Sequence, residues 1–145
     1  MDIRELRIGD IVTTNGKPMG TKKGDYYRVI EIDSKNKLDD LVGSAAIESV
    51  SDKYSRVGAW VDYLNPIPLT DELLKKIGAQ EINIEGHHFI SIGCENNGVL
   101  LHHSRYAYAL TTEYYRIAVR KPIKYLHQLQ HELYDAGIEF KIELQ

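Results

Sequence analysis

Apolar and polar residues trade places along this chain in short, broken runs, and the breaks predict mostly β-strands with two helices. Leu6 to Val12 reads as the entry to a first strand, and Asn15-Gly16 is a strong hairpin signal. Tyr26 to Ile32, rich in β-formers, predicts a second strand. Between them Lys17 to Asp25 forms a basic, glycine-containing loop, and Ser34 to Asp40 is polar and turn-like. Ala59 to Leu64 predicts a further strand within the stretch Ile47 to Leu64, after which Pro66 and Pro68 impose an extended segment that no central strand accommodates.

Helical spacing appears twice. Thr70 is a good N-cap, Asp71 and Glu72 suit the positive end of the helix dipole, Leu73, Leu74 and Ile77 share a face, and Gly78 is a stop signal. The second helix opens at Pro122, carries the stripe Ile123, Leu126, Leu129, Leu133 and Ala136, and stops at Gly137. Between the helices, Glu81 to Ile92 alternates, with Ile82, Ile84, His88, Ile90 and Ile92 on one parity and Gly86 as a turn or bulge that resets the register. Asn96-Asn97-Gly98 is a second hairpin signal, Val99 to Leu110 and Tyr114 to Val119 read as strands, and Ile138 to Leu144 alternates as a last one. The expected fold class is α+β, a single domain over 1–145. It would hold an antiparallel sheet, or an opening like that of a small SH3-like barrel, with helices at about 70–77 and 122–136.

Composition narrows the class of protein. With 145 residues the chain is long enough for one core without metal or disulfide support. Cys94 is the single cysteine, Met1 to Asp10 is too charged for a secretory leader, and no apolar run approaches a membrane span. A cytoplasmic protein without membrane association is expected. The net charge of −3 argues against long duplex nucleic acid as a partner. Charge is uneven, however: from Arg105 to Lys124 the basic residues Arg105, Arg116, Arg120, Lys121 and Lys124 meet only Glu113.

Catalytic look-alikes fail on chemistry. His127-Gln128-Leu129-Gln130-His131 has the histidine spacing of a zinc protease helix, but Gln128 replaces the glutamate and an amide cannot serve as general base. His87, His88, His102 and His103 could add ligands, yet nothing in the spacing specifies a third one. Cys94 precedes Glu95, which opposes thiolate formation. Glu81/Glu85 and Asp39/Asp40 fit solvated positions better than a buried acid pair, and no phosphate loop, dinucleotide fingerprint or nucleophile elbow occurs. The expectation is a non-enzyme with no cofactor and no metal site.

A different constellation suits binding. His102, Arg105, Tyr106, Tyr108, Tyr114 and Arg116 fall on two strands joined at Thr111-Thr112, which would set Tyr108 beside Tyr114 and Tyr106 beside Arg116. Tyrosine rings offer a π face to a base, and arginine offers a bidentate contact to a phosphate. Tyr26 and Arg28, with Tyr27, Lys22 and Lys23, form a second such cluster. Structural cross-strand packing and a protein interface are the competing uses of these residues.

Leu6-Arg7-Ile8-Gly9-Asp10, the stretch Ile67 to Gly78, and Ile123-Lys124-Tyr125-Leu126-His127-Gln128-Leu129-Gln130 occur here in one order. Together they resemble an uncharacterised family of small proteins encoded by Bacteroidetes genomes, their phages and mobile elements. That family carries no activity to transfer, and the Val42 to Gly58 region departs from its pattern. The resemblance implies a compact phage-type accessory protein. The resulting expectation is a non-catalytic binder of a small anionic ligand, such as a cyclic nucleotide immune signal sequestered to counter host defence, and a homo-oligomer. The alternatives are a protein- or nucleic-acid-interaction module and a histidine-dependent hydrolase.

Overall fold

The computed structural model describes residues 1–84, 86–94, 97–103, 108–111, 122–138 and 142–144. The protein is α+β, with antiparallel sheets and two helices. It divides into two compact units, one of residues 1–67 with 144–145, the other of residues 68–143.

In the first unit, strands β1 (Ile11–Thr14), β2 (Tyr27–Leu38), β3 (Leu41–Ser49), β4 (Arg56–Trp60) and β5 (Leu64–Asn65) form an antiparallel sheet in the order β4-β3-β2-β1-β5. A 3-10 turn at Val61–Tyr63 links β4 to β5. The meander from β1 to β4 with β5 returning to β1 is what an SH3-like opening anticipates. The sheet is nevertheless open, because its outermost strands β4 and β5 are not paired among the described residues. Val12, Tyr27, Val29, Ile47, Ala59 and Leu64 are buried in one cluster on its inner side.

Three sequence expectations change here. The strand does not begin at Leu6, because Arg7 to Asp10 is a tight turn. The buried Asp10 carboxylate accepts the Arg7 N–H at 2.8 Å, and Gly9 takes φ +97°, a left-handed conformation that glycine adopts without penalty. Ser34 to Leu38 is strand rather than turn. β2 runs on to Leu38 through irregularities in register after Val29 and Asp33, and the reversal is confined to Asp39-Asp40. Ala59 to Leu64 is not one strand: buried Val61 anchors the 3-10 turn, whose Val61 carbonyl accepts the Leu64 N–H.

In the second unit, β6 (Gln80–Ile84), β7 (His87–Cys94), β8 (Asn97–His103) and β9 (Tyr108–Thr111) form an antiparallel meander in chain order. Ile84 pairs with His87 across a two-residue turn, so even positions of β6 share a face with odd positions of β7. Gly86, at φ +81°, therefore does reset the register, and His88 lies with Asn83 rather than with Ile82. β8 and β9 pair with each other, so Val99 to Leu110 is two antiparallel strands and not one. The expected strand Tyr114 to Val119 lies outside the described residues.

Helix α1 (Asp71–Lys76) starts where Thr70 Oγ1 accepts the Leu73 N–H at 3.1 Å. It ends at Gly78, φ +96°, whose N–H donates to Lys75 O while the Ala79 N–H donates to Leu74 O. Helix α2 (Leu126–Asp135) ends the same way at Gly137, φ +72°. It begins later than Pro122, because Lys124 and Tyr125 are held extended: the Leu69 N–H donates to Lys124 O at 2.9 Å, and Tyr125 bridges Pro68. Ile123, Leu126, Leu129 and Leu133 are buried as the stripe requires, but Ala136 is exposed. Of the expected final strand Ile138 to Leu144, Ile138 and residues 142–144 lie outside any strand, and residues 139–141 lie outside the described residues.

Candidate functional site

Two of the sequence-selected site residues, Tyr26 and Arg28, fall where the first unit's sheet meets its β3–β4 loop. The Tyr26 carbonyl accepts the Val50 N–H at 3.1 Å, which joins the start of β2 to that loop. Arg28 is the in-register partner of Glu48, and Glu48 is the in-register partner of Arg56, so the three form one row across β2, β3 and β4. The core face of these strands carries Tyr27, Val29 and Ile47, so period-two alternation puts the row on the opposite face, where exposure rises from buried Ile11 on β1 to Arg56 on β4.

Charge in the row is unequally shared. Glu48 retains only 12% of its side-chain exposure and lies 4.0 Å from Arg56 Nη2, a loose ion pair. Arg28, half-buried, makes no ion pair or side-chain hydrogen bond with any described residue. A half-buried guanidinium with five donors and no fixed acceptor is well placed to accept an anionic oxygen from solution.

Beside this row lies an open depression of about 660 Å³, lined by Glu48, Val50, Arg56 and residues 51–54. Its rim is built rather than floppy. Asp52 Oδ1 accepts the Tyr54 N–H at 3.0 Å, the Ser55 N–H donates to Asp52 O at 3.1 Å, and the Ser49 N–H closes the loop onto Ser55 O at 3.1 Å. Those bonds use the Asp52 carboxylate for the turn and leave Tyr54 projecting, 97% exposed, beside Lys53. Lys53 has no carboxylate within ion-pair distance among the described residues. The depression thus offers an aromatic ring, an ammonium and the Arg56 guanidinium beside the Glu48 and Asp52 carboxylates, with Arg28 one strand away.

The rest of the sequence-selected set is distributed differently. Arg105, Tyr106, Tyr114 and Arg116 lie outside the described residues. His102 and Tyr108 are described as strand positions: His102 pairs with Ala109, and Tyr108 pairs with His103. Tyr27 is a structural residue, buried with its hydroxyl accepting the Lys22 N–H at 3.1 Å. Glu48, Lys53, Tyr54 and Arg56 were not singled out in the sequence. Only the strand register brings Glu48 and Arg56 to Arg28, and Ser51-Asp52-Lys53 reads locally as an ordinary turn.

The histidine helix is explained by packing. Gln128 Oε1 accepts the backbone N–H groups of Lys124 and Tyr125 at 2.9 and 3.2 Å, so the residue standing in the glutamate position of a zinc protease motif caps the helix instead. His127 is 1% exposed, stacked on the Tyr125 ring at 5.9 Å and edge-on to His131 at 5.7 Å. Among the described residues no group of three or more His, Cys, Asp or Glu side chains is arranged to hold a metal ion. Nor, among them, is any helix long and apolar enough to cross a membrane.

No family model, no curated protein and no solved structure matches this chain.

Proposed function

We propose that this protein is a non-catalytic binder of a small anionic ligand, of the nucleotide class, and that Tyr26, Arg28, Lys53, Tyr54 and Arg56 belong to its binding surface. The observation that carries this reading is Arg28, half-buried and without an ion-pair partner among the described residues, set one strand away from the depression at residues 48–56. The volume of about 660 Å³ suits a ligand of nucleotide size, since small-molecule sites run from ~300 to ~1,000 Å³. Arginine and lysine supply phosphate contacts, and the exposed Tyr54 ring supplies a stacking surface for a base. The resemblance to phage and mobile-element proteins adds a setting. A sequestering accessory protein needs tight binding and no turnover, and sites of that kind often sit where copies of one chain meet, so the proposal includes a homo-oligomer.

A thermal-shift screen of the full chain against mono- and cyclic nucleotides tests the reading. A ligand present at 100 times its Kd adds about 2.7 kcal/mol of stability, a clear rise in melting temperature. A flat response across all nucleotide classes overturns it.

A second reading has its own support. The open five-stranded sheet, with its long loop between β1 and β2, also suits an interaction module for a larger partner. Light scattering with and without candidate ligand separates the two, because a sequestering protein binds with fixed stoichiometry per copy or per interface.

A further inference from the structure

The loop between β1 and β2, residues 15–26, carries the densest positive charge of the first unit, and its shape is fixed. At its neck Thr14 Oγ1 meets Thr21 Oγ1 at 3.1 Å and accepts the Gly16 N–H at 3.2 Å. Thr21 Oγ1 donates to Pro18 O at 2.7 Å, Asn15 Oδ1 accepts the Lys17 N–H at 3.0 Å, and the Asn15 N–H donates to Tyr63 O at 3.0 Å. The two sides of the loop press together: a Cβ placed on Gly16 would stand 3.5 Å from Lys23 N and 3.6 Å from Lys23 Cβ. This closeness sets Lys17 on one side against Lys22 and Lys23 on the other.

None of the three ammonium groups has a carboxylate within ion-pair distance among the described residues. Lys17 is instead placed over the half-buried Tyr63 ring, 5.1 Å from its centroid. At the tip Met19 is 88% exposed, an apolar and polarizable surface in a loop that carries three lysines and one acid, Asp25. Gly20 and Gly24, both at positive φ, leave open space where a side chain would stand. Lysines without an ion-pair partner, on a loop already ordered, bind an anion without the entropic cost of ordering the loop.

We infer that this loop is a second binding surface, for the phosphate backbone of single-stranded nucleic acid. Lysine is a point-charge phosphate ligand, and three of them suit a short single strand rather than a duplex, whose binders commonly make ~6–10 phosphate contacts. Met19, exposed at the tip, provides a surface against which an unpaired base can lie, while the Tyr63 ring holds Lys17 in place. The inference uses none of the residues of the nucleotide-sized depression, so either can fail alone.

The test is fluorescence anisotropy of a short labelled oligo-dT with the full chain across a salt series. Single strands give a slope of about −0.7 in log K against log salt per phosphate neutralised, so three lysines predict about −2. Lys22→Gln with Lys23→Gln should bring the slope to about −0.7 while the melting temperature stays put, since both side chains are exposed. Lys22→Glu with Lys23→Glu should abolish binding. Absence of binding at low ionic strength, or a slope untouched by the lysine substitutions, overturns the assignment. Equal or tighter binding of an oligo-glutamate peptide also overturns it, and would reassign the loop to an acidic protein partner.

Discussion

Arg28 and Glu48 stand opposite each other across β2 and β3, yet Glu48 makes its ion pair with Arg56 on its other side, at 4.0 Å. The row thus holds two guanidinium groups and one carboxylate, and it carries an excess of positive charge. A pair this loose, with its arginine mostly in solvent, contributes about 0–1 kcal/mol to stability. Glu48→Gln is therefore expected to shift the urea midpoint little while tightening anion binding several-fold, because both arginines then lack their competitor. Weaker anion binding in this variant would show that Glu48 positions the arginines rather than competing for them.

The turn that opens β1 depends on a single buried carboxylate. Asp10, 2% exposed, accepts the Arg7 N–H, and its backbone pairs with Val29. Asp10→Ala leaves that donor without its acceptor and is expected to cost about 1–3 kcal/mol in urea denaturation. Asp10→Asn keeps a carbonyl oxygen in place and should cost less.

Glycine matters most at Gly43. Its φ of +85° is unfavourable for any residue with a Cβ, and a Cβ there would stand 3.0 Å from Ile3 Cγ1. Gly20 has a similar φ of +78° but open space. Gly20→Ala is expected to cost about 1–2 kcal/mol for the left-handed backbone alone, and Gly43→Ala more. Part of the excess should return in an Ile3→Ala background. Equal losses at both glycines would remove the Ile3 contact from the explanation.

Thr70→Ala removes the α1 N-cap and is expected to cost about 0.5–2 kcal/mol, read by chemical denaturation. Here the sequence was informative, because caps are local chemistry. Thr70, Gly78 and Gly137 act on backbone groups within a few residues of themselves, and each does what its spacing implies.

What the sequence hid is non-local. β3 was largely unread because Gly43, Ser44, Ala45 and Ala46 are poor strand formers taken alone; they form a strand through pairing to β2 on one side and β4 on the other. Ser34 to Leu38 reads as a turn because this end of β2 is solvated on both faces and shows no alternation. Pro122 suggested a helix start, whereas pairing with Pro68 and Leu69 keeps the chain extended to Tyr125. The binding surface was half legible for the same reason. Tyr26 and Arg28 announce themselves by residue type, but Glu48 and Arg56 join them only through the register of three strands.

The most direct test is calorimetric titration of the best nucleotide from the thermal screen into the wild-type protein, Arg28→Ala and Arg116→Ala. A charge-assisted hydrogen bond to a phosphate is worth about 1.5–3 kcal/mol, so loss of Arg28 should weaken binding about 10- to 100-fold. Arg116→Ala reports separately on the tyrosine–arginine cluster that the sequence marks from His102 to Arg116. Wild-type affinity in Arg28→Ala, with the fold intact by its melting temperature, would contradict the account.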